Sequence, residues 1–419
     1  MRSLLARILG FGSLPLLASL APLLLLGIVT RSCTVEEWAA LSMGQAVGSF
    51  ATAAVMFGWQ VVGPPAIALA AGEERSREIY AASWWLRAAV YLVVTPCAAI
   101  VSVMLSPADT GALAAFMCAS AAFAGMSMTW YAIGRGRPGM VTVFEVVPRL
   151  VSLAAGAVTV ALTGHAVWYP VCALVGALAT QTVFHRRVFR WLIPTWPGRA
   201  ALADALRVSA PGALVVVLGG IRSAAPLPAS TLVGDTDSIA RLSSADRLYR
   251  YSLFSASALG DALQSWVLES GIGGRRHRVA LFLHAVLGAV GAAGLAVAGP
   301  WATVLLFGDH LGAPTALFAG YAAAFFFVSV GTPLVRNVLV PLGRTRAVVG
   351  SDAAGLLCGV GAGLPLLSLF GVAGIPLALA VTEATATLGY ALSAAVIVRG
   401  RDRSDIAVMD PDAGTAVAE

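Results

Sequence analysis

Residues 279–306 read VALFLHAVLGAVGAAGLAVAGPWATVLL and contain no Asp, Glu, Lys or Arg. A transmembrane α-helix needs about 20 consecutive apolar residues to cross roughly 30 Å of hydrocarbon. Inside a bilayer the backbone must satisfy its own hydrogen bonds, and a continuous apolar run does so as a helix. This stretch is therefore predicted to be a membrane-spanning helix.

The composition of the whole chain agrees with that stretch. The chain has 419 residues, of which 58% are hydrophobic and 11% are charged, and its mean hydropathy is +0.84. A soluble domain carries about a quarter charged residues. The composition excludes a disordered chain and argues against a soluble enzyme. No catalytic motif of the HExxH, GxSxG or P-loop type occurs, so we expect a protein that is not an enzyme and needs no cofactor or metal.

Eleven other segments share this character, so we predict twelve spans. The limits of the twelve are 8–29, 39–62, 81–105, 111–133, 142–163, 166–184, 208–230, 248–270, 279–306, 314–341, 347–369 and 372–398. The first segment is interpreted as a retained span rather than a cleaved signal peptide. Its apolar run is long, and no small-x-small cleavage site precedes Thr30.

The placement of positive charge predicts the orientation. All 27 basic residues are arginine, and most of them lie in cytoplasmic segments when the N-terminus is placed inside. This satisfies the positive-inside rule with an even number of spans, so both termini are predicted to be cytoplasmic. The arginines are scattered between apolar runs rather than gathered on a soluble face. The net charge of +6 therefore does not indicate nucleic-acid binding.

The chain reads as two related halves. A Gly-Arg-x-Arg turn at 134–137 recurs at 343–346, and residues 34–44 align on residues 236–246. An even number of spans in each half predicts parallel copies about an axis along the membrane normal. The predicted parts are an N-terminal six-helix lobe at 1–184, a cytoplasmic linker at 185–207, a C-terminal six-helix lobe at 208–398 and a disordered cytoplasmic tail at 399–419.

Several short motifs carry a family resemblance. Residues 29–46 read VTRSCTVEEWAALSMGQA, the second predicted span contains the pair Phe57-Gly58, and residues 243–249 read SSADRLY. Together with the Gly-Arg-x-Arg turn, these segments resemble bacterial polysaccharide (O-antigen type) flippases. That family lies in the multidrug/oligosaccharidyl-lipid/polysaccharide exporter superfamily. The resemblance covers the organisation of essentially the whole chain.

The resemblance implies a fold and a function. The fold is an all-α polytopic membrane protein with twelve transmembrane helices in two pseudo-symmetric lobes around a central cavity. The function is an alternating-access flippase of the cell membrane that moves undecaprenyl-diphosphate-linked oligosaccharide to the outer leaflet. Its expected partners are this lipid-linked substrate, membrane lipids and a polysaccharide polymerase or ligase, and its expected state is a monomer.

Two other functions stay open at the level of sequence. A cation-coupled exporter of small molecules has the same superfamily fold, but it would favour acidic over basic residues among the buried charges. A polytopic polysaccharide polymerase or ligase would need a long outer loop that carries catalytic groups, and the outer loops here are short.

Arginines inside the apolar segments are the first candidates for substrate contacts. An ionisable side chain at the centre of a membrane helix costs at least about 2.5 kcal/mol, so it usually serves a purpose there. Arg149 and Arg222 are the preferred ligands for a diphosphate, because the guanidinium group binds phosphate bidentately and stays charged. Arg87 and Arg336 lie nearer the cytoplasmic ends of their spans. They are predicted either to bind the headgroup or to extend to the interface.

The acidic residues in the spans have two interpretations. Glu145 lies four residues before Arg149, so the two either pair on one helix face or act separately. Asp261 and Glu383, with Glu145, are candidates for a coupling ion, but they are equally candidates for pairing with arginines.

A further pair of arginines lies at the predicted outer mouth. Arg247 and Arg250 are expected either to guide the departing headgroup or to belong to an interfacial belt of aromatic and basic residues.

Overall fold

The computed structural model of the chain describes residues 23–190, 192–224, 226–232, 234–268 and 275–409. Nearly all of these residues are helical, and none of them lies in a β-strand. The predicted all-helical class is therefore confirmed for the described part of the chain. Residues 1–22 are not among those described, so most of the predicted first span lies outside them, and helix is present from residue 23 to residue 31.

The remaining longer helices are labelled in chain order. They are α1 Val35–Met56, α2 Trp59–Ala68, α3 Gly72–Met104, α4 Gly111–Phe123, α5 Thr129–Gly134, α6 Val147–Thr163, α7 Trp168–Phe184, α8 Arg199–Ala224, α9 Thr236–Leu268, α10 Arg275–Phe307, α11 Thr315–Leu334, α12 Thr345–Phe370 and α13 Gly374–Met409. Three π-helical segments adjoin them at Thr142–Val146, His185–Phe189 and Val335–Leu339. Short helical turns lie at Ala124–Met126, Pro138–Val141, Pro226–Ala229, Ser230–Leu232, Asp309–Leu311 and Gly371–Ala373.

Packing divides the described residues into two compact units. The N-terminal unit comprises the described residues from 23 to 247 together with Pro300–Pro314. The C-terminal unit comprises Leu248–Gly299 and the residues from Thr315 onward. The division into lobes at 1–184 and 208–398 remains a prediction. Helix α13 continues past residue 399, where the predicted tail begins, and residues 410–419 lie outside those described.

Seven segments of the described chain are long and apolar enough to cross a membrane. They are Val35–Ala68, Gly72–Met104, Gly111–Gly134, Gly139–Thr163, Arg275–Phe307, Thr315–Leu339 and Thr345–Ile397, the last of which contains both α12 and most of α13. The multi-pass character predicted from hydropathy follows from these segments. The number of twelve spans and the location of the termini stay predictions.

Helix α9 begins earlier than the sequence predicts. The apolar segment was expected from residue 248, whereas the helix starts at Thr236 and includes residues predicted as an outer loop. Its first turns are polar and contain the pair Arg241 and Asp237, four residues apart, with Nε and Oδ2 separated by 2.8 Å. Hydropathy detects only the apolar part of such a helix. Asp246 and Arg247 therefore lie on a helix and not in a loop.

The second predicted span is interrupted. Phe57 and Gly58 both adopt the left-handed conformation, with φ of 47° and 76°, and separate α1 from α2. The left-handed region is costly for a residue with a β-carbon. A β-carbon on Gly58 would lie 2.5 Å from the backbone nitrogen of Ala213. Glycine at this position thus permits both the break between α1 and α2 and the close approach of α8.

The repeated arginine turn has a different alignment from the predicted one. At the end of α5 the amides of Gly136 and Arg137 bond to carbonyls three and five residues earlier, at 2.9 and 3.0 Å. The amides of Gly343 and Arg344 make the same two bonds at 3.0 and 2.9 Å. Both turns are Schellman motifs with a left-handed glycine. The structural equivalent of Gly343 is therefore Gly136, two residues beyond the glycine that the sequence alignment chose.

The core of the N-terminal unit is aromatic near the predicted cytoplasmic side. Tyr80, Trp130, Tyr131, Phe184 and Phe189 are buried there and form stacked or edge-on ring pairs. In the C-terminal unit, Gly355 and Gly359 of α12 lie close to Thr382 of α13. Close approach through small residues is typical of membrane helices, where lipid leaves little hydrophobic drive for association.

Candidate functional site

Arg87 on α3 is entirely buried within the N-terminal unit. Its Nη1 donates to the carbonyl oxygens of Gly125 at 3.1 Å and Ser127 at 2.8 Å, and its Nε donates to Ser83 Oγ at 3.1 Å. The guanidinium also lies 5.6 Å from the ring centroid of Trp130. The two carbonyls belong to the break between α4 and α5, where the helix cannot satisfy them. Arg87 does not extend to the interface; it closes this break.

Arg87→Met is expected to destabilise the N-terminal unit. The substitution removes the donors to two carbonyls in a buried break, and each unsatisfied buried group costs about 1–3 kcal/mol. Thermal unfolding of the purified protein in detergent measures this loss. Arg278→Gln, at an exposed arginine, is the control. Equal unfolding temperatures for Arg87→Met and wild type would contradict the structural role.

Glu145 lies in the π-helical segment before α6 and points to the same break. Its Oε2 accepts hydrogen bonds from Ser127 Oγ and Thr129 Oγ1, both at 2.7 Å. Among the described residues it forms no ion pair with Arg149. A π-turn contains more residues than an α-turn, so the expected alignment of positions four apart is lost. Ser127 therefore connects Glu145 with Arg87, and the predicted helix-face pair does not form.

Arg149 is exposed on α6, within the segment Gly139–Thr163 that is long and apolar enough to span a membrane. Within the described ranges it makes no hydrogen bond or ion pair. Arg222 lies in α8, but its side chain is not among those described. The predicted shared role of Arg149 and Arg222 therefore stays a prediction.

Arg336 and Asp261 form an ion pair in the C-terminal unit, through Nη1 and Oδ1. Arg336 lies in the π-helical segment that follows α11, and Asp261 lies on α9. Both remain accessible, with 36% of the arginine side chain and 62% of the aspartate side chain exposed. Asp261 thus pairs with an arginine, which is one of the two roles that the sequence left open for it.

Two more acidic residues lie in the C-terminal unit. Glu383 on α13 is buried, with 6% of its surface exposed. Asp352 on α12 accepts a hydrogen bond from the Tyr390 hydroxyl of α13. This bond links the two antiparallel helices that meet at the Gly371–Ala373 turn.

Arg247 lies over an indole rather than in open solvent. Its guanidinium is 4.5 Å from the ring centroid of Trp38, which is completely buried. A cation over the face of tryptophan is attracted by the ring quadrupole. Arg250, three residues further along α9, is half-buried. The arrangement of Arg247 fits a packed junction within the N-terminal unit better than a loose interfacial belt.

The Trp38 indole also bonds to the segment that the sequence aligns with its own. Its Nε1 donates to Ala240 O and Ser244 Oγ, both at 3.2 Å. The predicted alignment places Trp38 on Ala240 and Ser42 on Ser244. Both contacts lie within the N-terminal unit, and the relation of the two halves of the chain by a two-fold axis stays a prediction.

Sequence reasoning missed the polar groups that organise the buried charges. Ser83, Ser127 and Thr129 determine where Arg87 and Glu145 point, and none of them was predicted. Their signal is weak, because an isolated hydroxyl in an apolar helix usually bonds to its own backbone. The sequence Ser-Met-Thr at 127–129 between two apolar runs is the one feature that marks the break.

No protein-family model matches the chain, and no curated protein matches it in sequence. Among solved structures it matches a multidrug-resistance MATE family transporter of the MOP superfamily in an inward-facing conformation. The TM-score is 0.70, with 16% identity over 92% of this chain and 96% of that one. It also matches the lipid II flippase MurJ in an inward closed conformation, with a TM-score of 0.72 and 12% identity over 91% of this chain and 86% of that one. A eukaryotic MATE transporter, AtDTX14, matches with a TM-score of 0.56 and 13% identity over 93% and 95%.

These matches show a shared fold over almost the whole chain. The chain has the architecture of transporters and flippases of the MOP superfamily, and with its apolar helices it is a multi-pass protein of the cell membrane. This confirms the predicted multi-pass membrane localisation, and the shared fold agrees with the predicted one. Because one fold hosts several activities, the substrate has to be argued from the residues.

Proposed function

We propose that the chain is a flippase that moves a diphosphate-linked lipid oligosaccharide across the cell membrane by alternating access. Two kinds of support combine. The fold is shared with a lipid flippase and with multidrug transporters. The second support is the exposed basic group Arg149 within a segment of membrane-spanning character.

The proposal rests chiefly on the exposed position of Arg149. An arginine that faced hydrocarbon at mid-span would cost about 2.5–3.5 kcal/mol or more. A side chain that is exposed there and has no described protein partner is best accommodated in a polar pathway. A guanidinium in such a pathway attracts anions and holds a phosphate through two parallel hydrogen bonds. The diphosphate of a lipid-linked sugar is an anion of this kind.

The accessible ion pair of Arg336 and Asp261 supports the same proposal. Two accessible charges, one of them within the apolar segment Thr315–Leu339, are best accommodated at a hydrated surface of the C-terminal unit. The pair presents both a phosphate-binding fork and a carboxylate that hydrogen-bonds sugar hydroxyls. Exchange of the carboxylate for a phosphate would let Arg336 bind the headgroup, and the exposed Asp261 carboxylate would then accept hydrogen bonds from sugar hydroxyls and water.

Reconstitution tests the proposal directly. Purified protein in liposomes receives a lipid-linked diphosphate oligosaccharide with a fluorophore on its sugar, and an impermeant reductant reports how fast label leaves the inner leaflet. We expect rapid loss with protein and slow loss with empty liposomes. In the native host, deletion of the gene should stop surface polysaccharide and cause lipid-linked units to accumulate. Unchanged export in the deletion strain would overturn the proposal.

A cation-coupled exporter is the second candidate, and Glu145 favours it. This carboxylate binds two hydroxyls and has no ion-pair partner among the described residues, so it offers a site for a proton or sodium ion. Glu145→Gln is expected to abolish gradient-driven transport while the protein stays folded, because the amide oxygen still accepts from Ser127 and Thr129. The measurement is substrate movement in liposomes with and without an imposed proton or sodium gradient. Asp309→Asn, at an exposed residue, is the control; an intact gradient response in Glu145→Gln would exclude Glu145 as the coupling group.

A further inference from the structure

The segment that follows α7 combines basic and apolar residues. Residues 185–199 read HRRVFRWLIPTWPGR and contain no acidic residue. The segment begins with the π-helical turn His185–Phe189, which ends where Arg190 adopts the left-handed conformation at φ 62°. By the positive-inside prediction it lies at the cytoplasmic end of its span.

One internal hydrogen bond and three contacts with α3 fix this segment. The His185 ring bonds through Nδ1 to the Leu192 carbonyl at 3.1 Å and through Nε2 to the Tyr80 hydroxyl at 3.0 Å. The Trp85 indole donates to the Pro194 carbonyl at 3.0 Å and lies edge-on to Trp196 at 5.1 Å. The segment is thus positioned by hydrogen bonds and ring contacts, although it contains no long helix.

The same contacts fit a neutral histidine. A ring nitrogen that faces a carbonyl must carry hydrogen, so Nδ1 is the donor and Nε2 accepts from the Tyr80 hydroxyl. Burial lowers the pKa of His185, which keeps the ring uncharged at neutral pH. The positive charge of the segment therefore resides in its arginines alone.

The outward side of the segment is apolar and basic. Leu192, Ile193 and Trp196 are 56%, 60% and 59% exposed. Arg186, Arg187 and Arg190 are also exposed, and in the described part of the chain they have no carboxylate partner. Large apolar side chains beside unpaired arginines are typical of peptide that lies in the headgroup region of a bilayer.

We infer that the described part of this segment, residues 186–190 and 192–196, is a binding surface for anionic phospholipid headgroups of the cytoplasmic leaflet. The exposed leucine, isoleucine and tryptophan enter the acyl boundary, and the three arginines bind lipid phosphates. Charge complementarity selects this partner, since an anionic surface meets three arginines and no acid. In this placement the indole of Trp196 would lie in the interfacial region, where tryptophan is enriched in membrane proteins. This inference does not depend on the proposed substrate.

Quenching of tryptophan fluorescence by brominated lipid tests the inference. The full-length protein in neutral detergent is titrated with brominated phosphatidylglycerol or brominated phosphatidylcholine, and the Trp196→Phe variant isolates the signal of Trp196. We expect phosphatidylglycerol to quench Trp196 at much lower concentration than phosphatidylcholine. The triple variant Arg186→Gln, Arg187→Gln, Arg190→Asn should lose about fivefold in apparent affinity per arginine, or about a hundredfold in total. Asparagine is chosen at 190 because it tolerates the left-handed conformation.

A matched triple variant controls for net charge. Arg275→Gln, Arg278→Gln and Arg344→Gln remove three other exposed arginines and should leave the quenching unchanged. Unfolding temperatures verify that both triple variants are folded. Equal quenching by the two lipids, or unchanged affinity of the first triple variant, would overturn the inference. Competition by inorganic phosphate would assign the site to free anions, and absence of quenching by either lipid would leave the surface to a protein partner; both results contradict lipid binding.

Discussion

Arg149→Gln is expected to abolish flipping of the lipid-linked diphosphate while leaving the protein folded. The side chain is exposed and makes no described contact, so its loss removes no packing. A hydrogen bond to a charged group is worth about 1.5–3 kcal/mol, which corresponds to about a ten- to hundredfold loss of rate for each bond to the phosphate in the rate-limiting state. The measurement is the initial rate of label loss in liposomes.

Two further variants separate charge from geometry. Arg149→Lys keeps the positive charge but loses the planar fork, so it should retain part of the rate. Arg278→Gln removes an exposed arginine outside the proposed pathway and should flip normally. If Arg149→Gln flips at the wild-type rate with a normal unfolding temperature, Arg149 is not a headgroup contact and the main support for the diphosphate substrate fails.

Gly58→Ala is expected to lower the free energy of unfolding strongly. The new methyl group would meet Ala213 N at 2.5 Å and Ser209 O at 2.7 Å, and these backbone atoms cannot move independently of α8. The left-handed conformation at φ 76° adds a second cost. The two costs are about 1–3 kcal/mol for overpacking and about 1–2 kcal/mol for the backbone. Thermal or denaturant unfolding of the purified protein measures their sum.

Gly72→Ala is the matched control for the backbone cost alone. Gly72 also has positive φ, at 89°, but an added β-carbon would meet nothing within 4 Å. We expect Gly72→Ala to reduce the free energy of unfolding only by the backbone cost of about 1–2 kcal/mol. Similar losses in the two variants would mean that the approach of α8 to Gly58 contributes nothing to stability.

The placement of helices was largely predictable, and their interruptions were not. Apolar segments from 81–105 onward coincide with helices, because hydropathy over a span is a local property of the chain. The break at Phe57 and Gly58 was predicted as continuous helix. At this break α8 approaches Gly58 closely near Ala213, far away in the sequence, and no local pattern reports such an approach.

The sequence identified the candidate residues because they are charged residues in apolar segments. Their roles depended on the residues that contact them in the folded structure. Any arginine or carboxylate in an apolar segment is conspicuous, so Arg87, Glu145 and Arg336 were all named in advance. Arg87 was expected near the interface, yet it bonds to carbonyls at the break before α5. Glu145 was placed beside Arg149 by helix spacing, yet the π-turn directs it to Ser127 and Thr129.

The sequence by itself determined that this chain is a helical protein of the membrane, because apolar length and the need to satisfy the backbone in lipid leave no other structure. It also identified which charges are costly enough to matter. Only the tertiary structure decided how those charges are used. Arg87 donates its hydrogen bonds to backbone carbonyls, Arg336 pairs with Asp261, and Arg149 is accessible. The physical reason is that the cost of removing a charge from water depends on that side chain alone. The hydrogen bonds and ion pairs that offset this cost come from residues that only folding brings close.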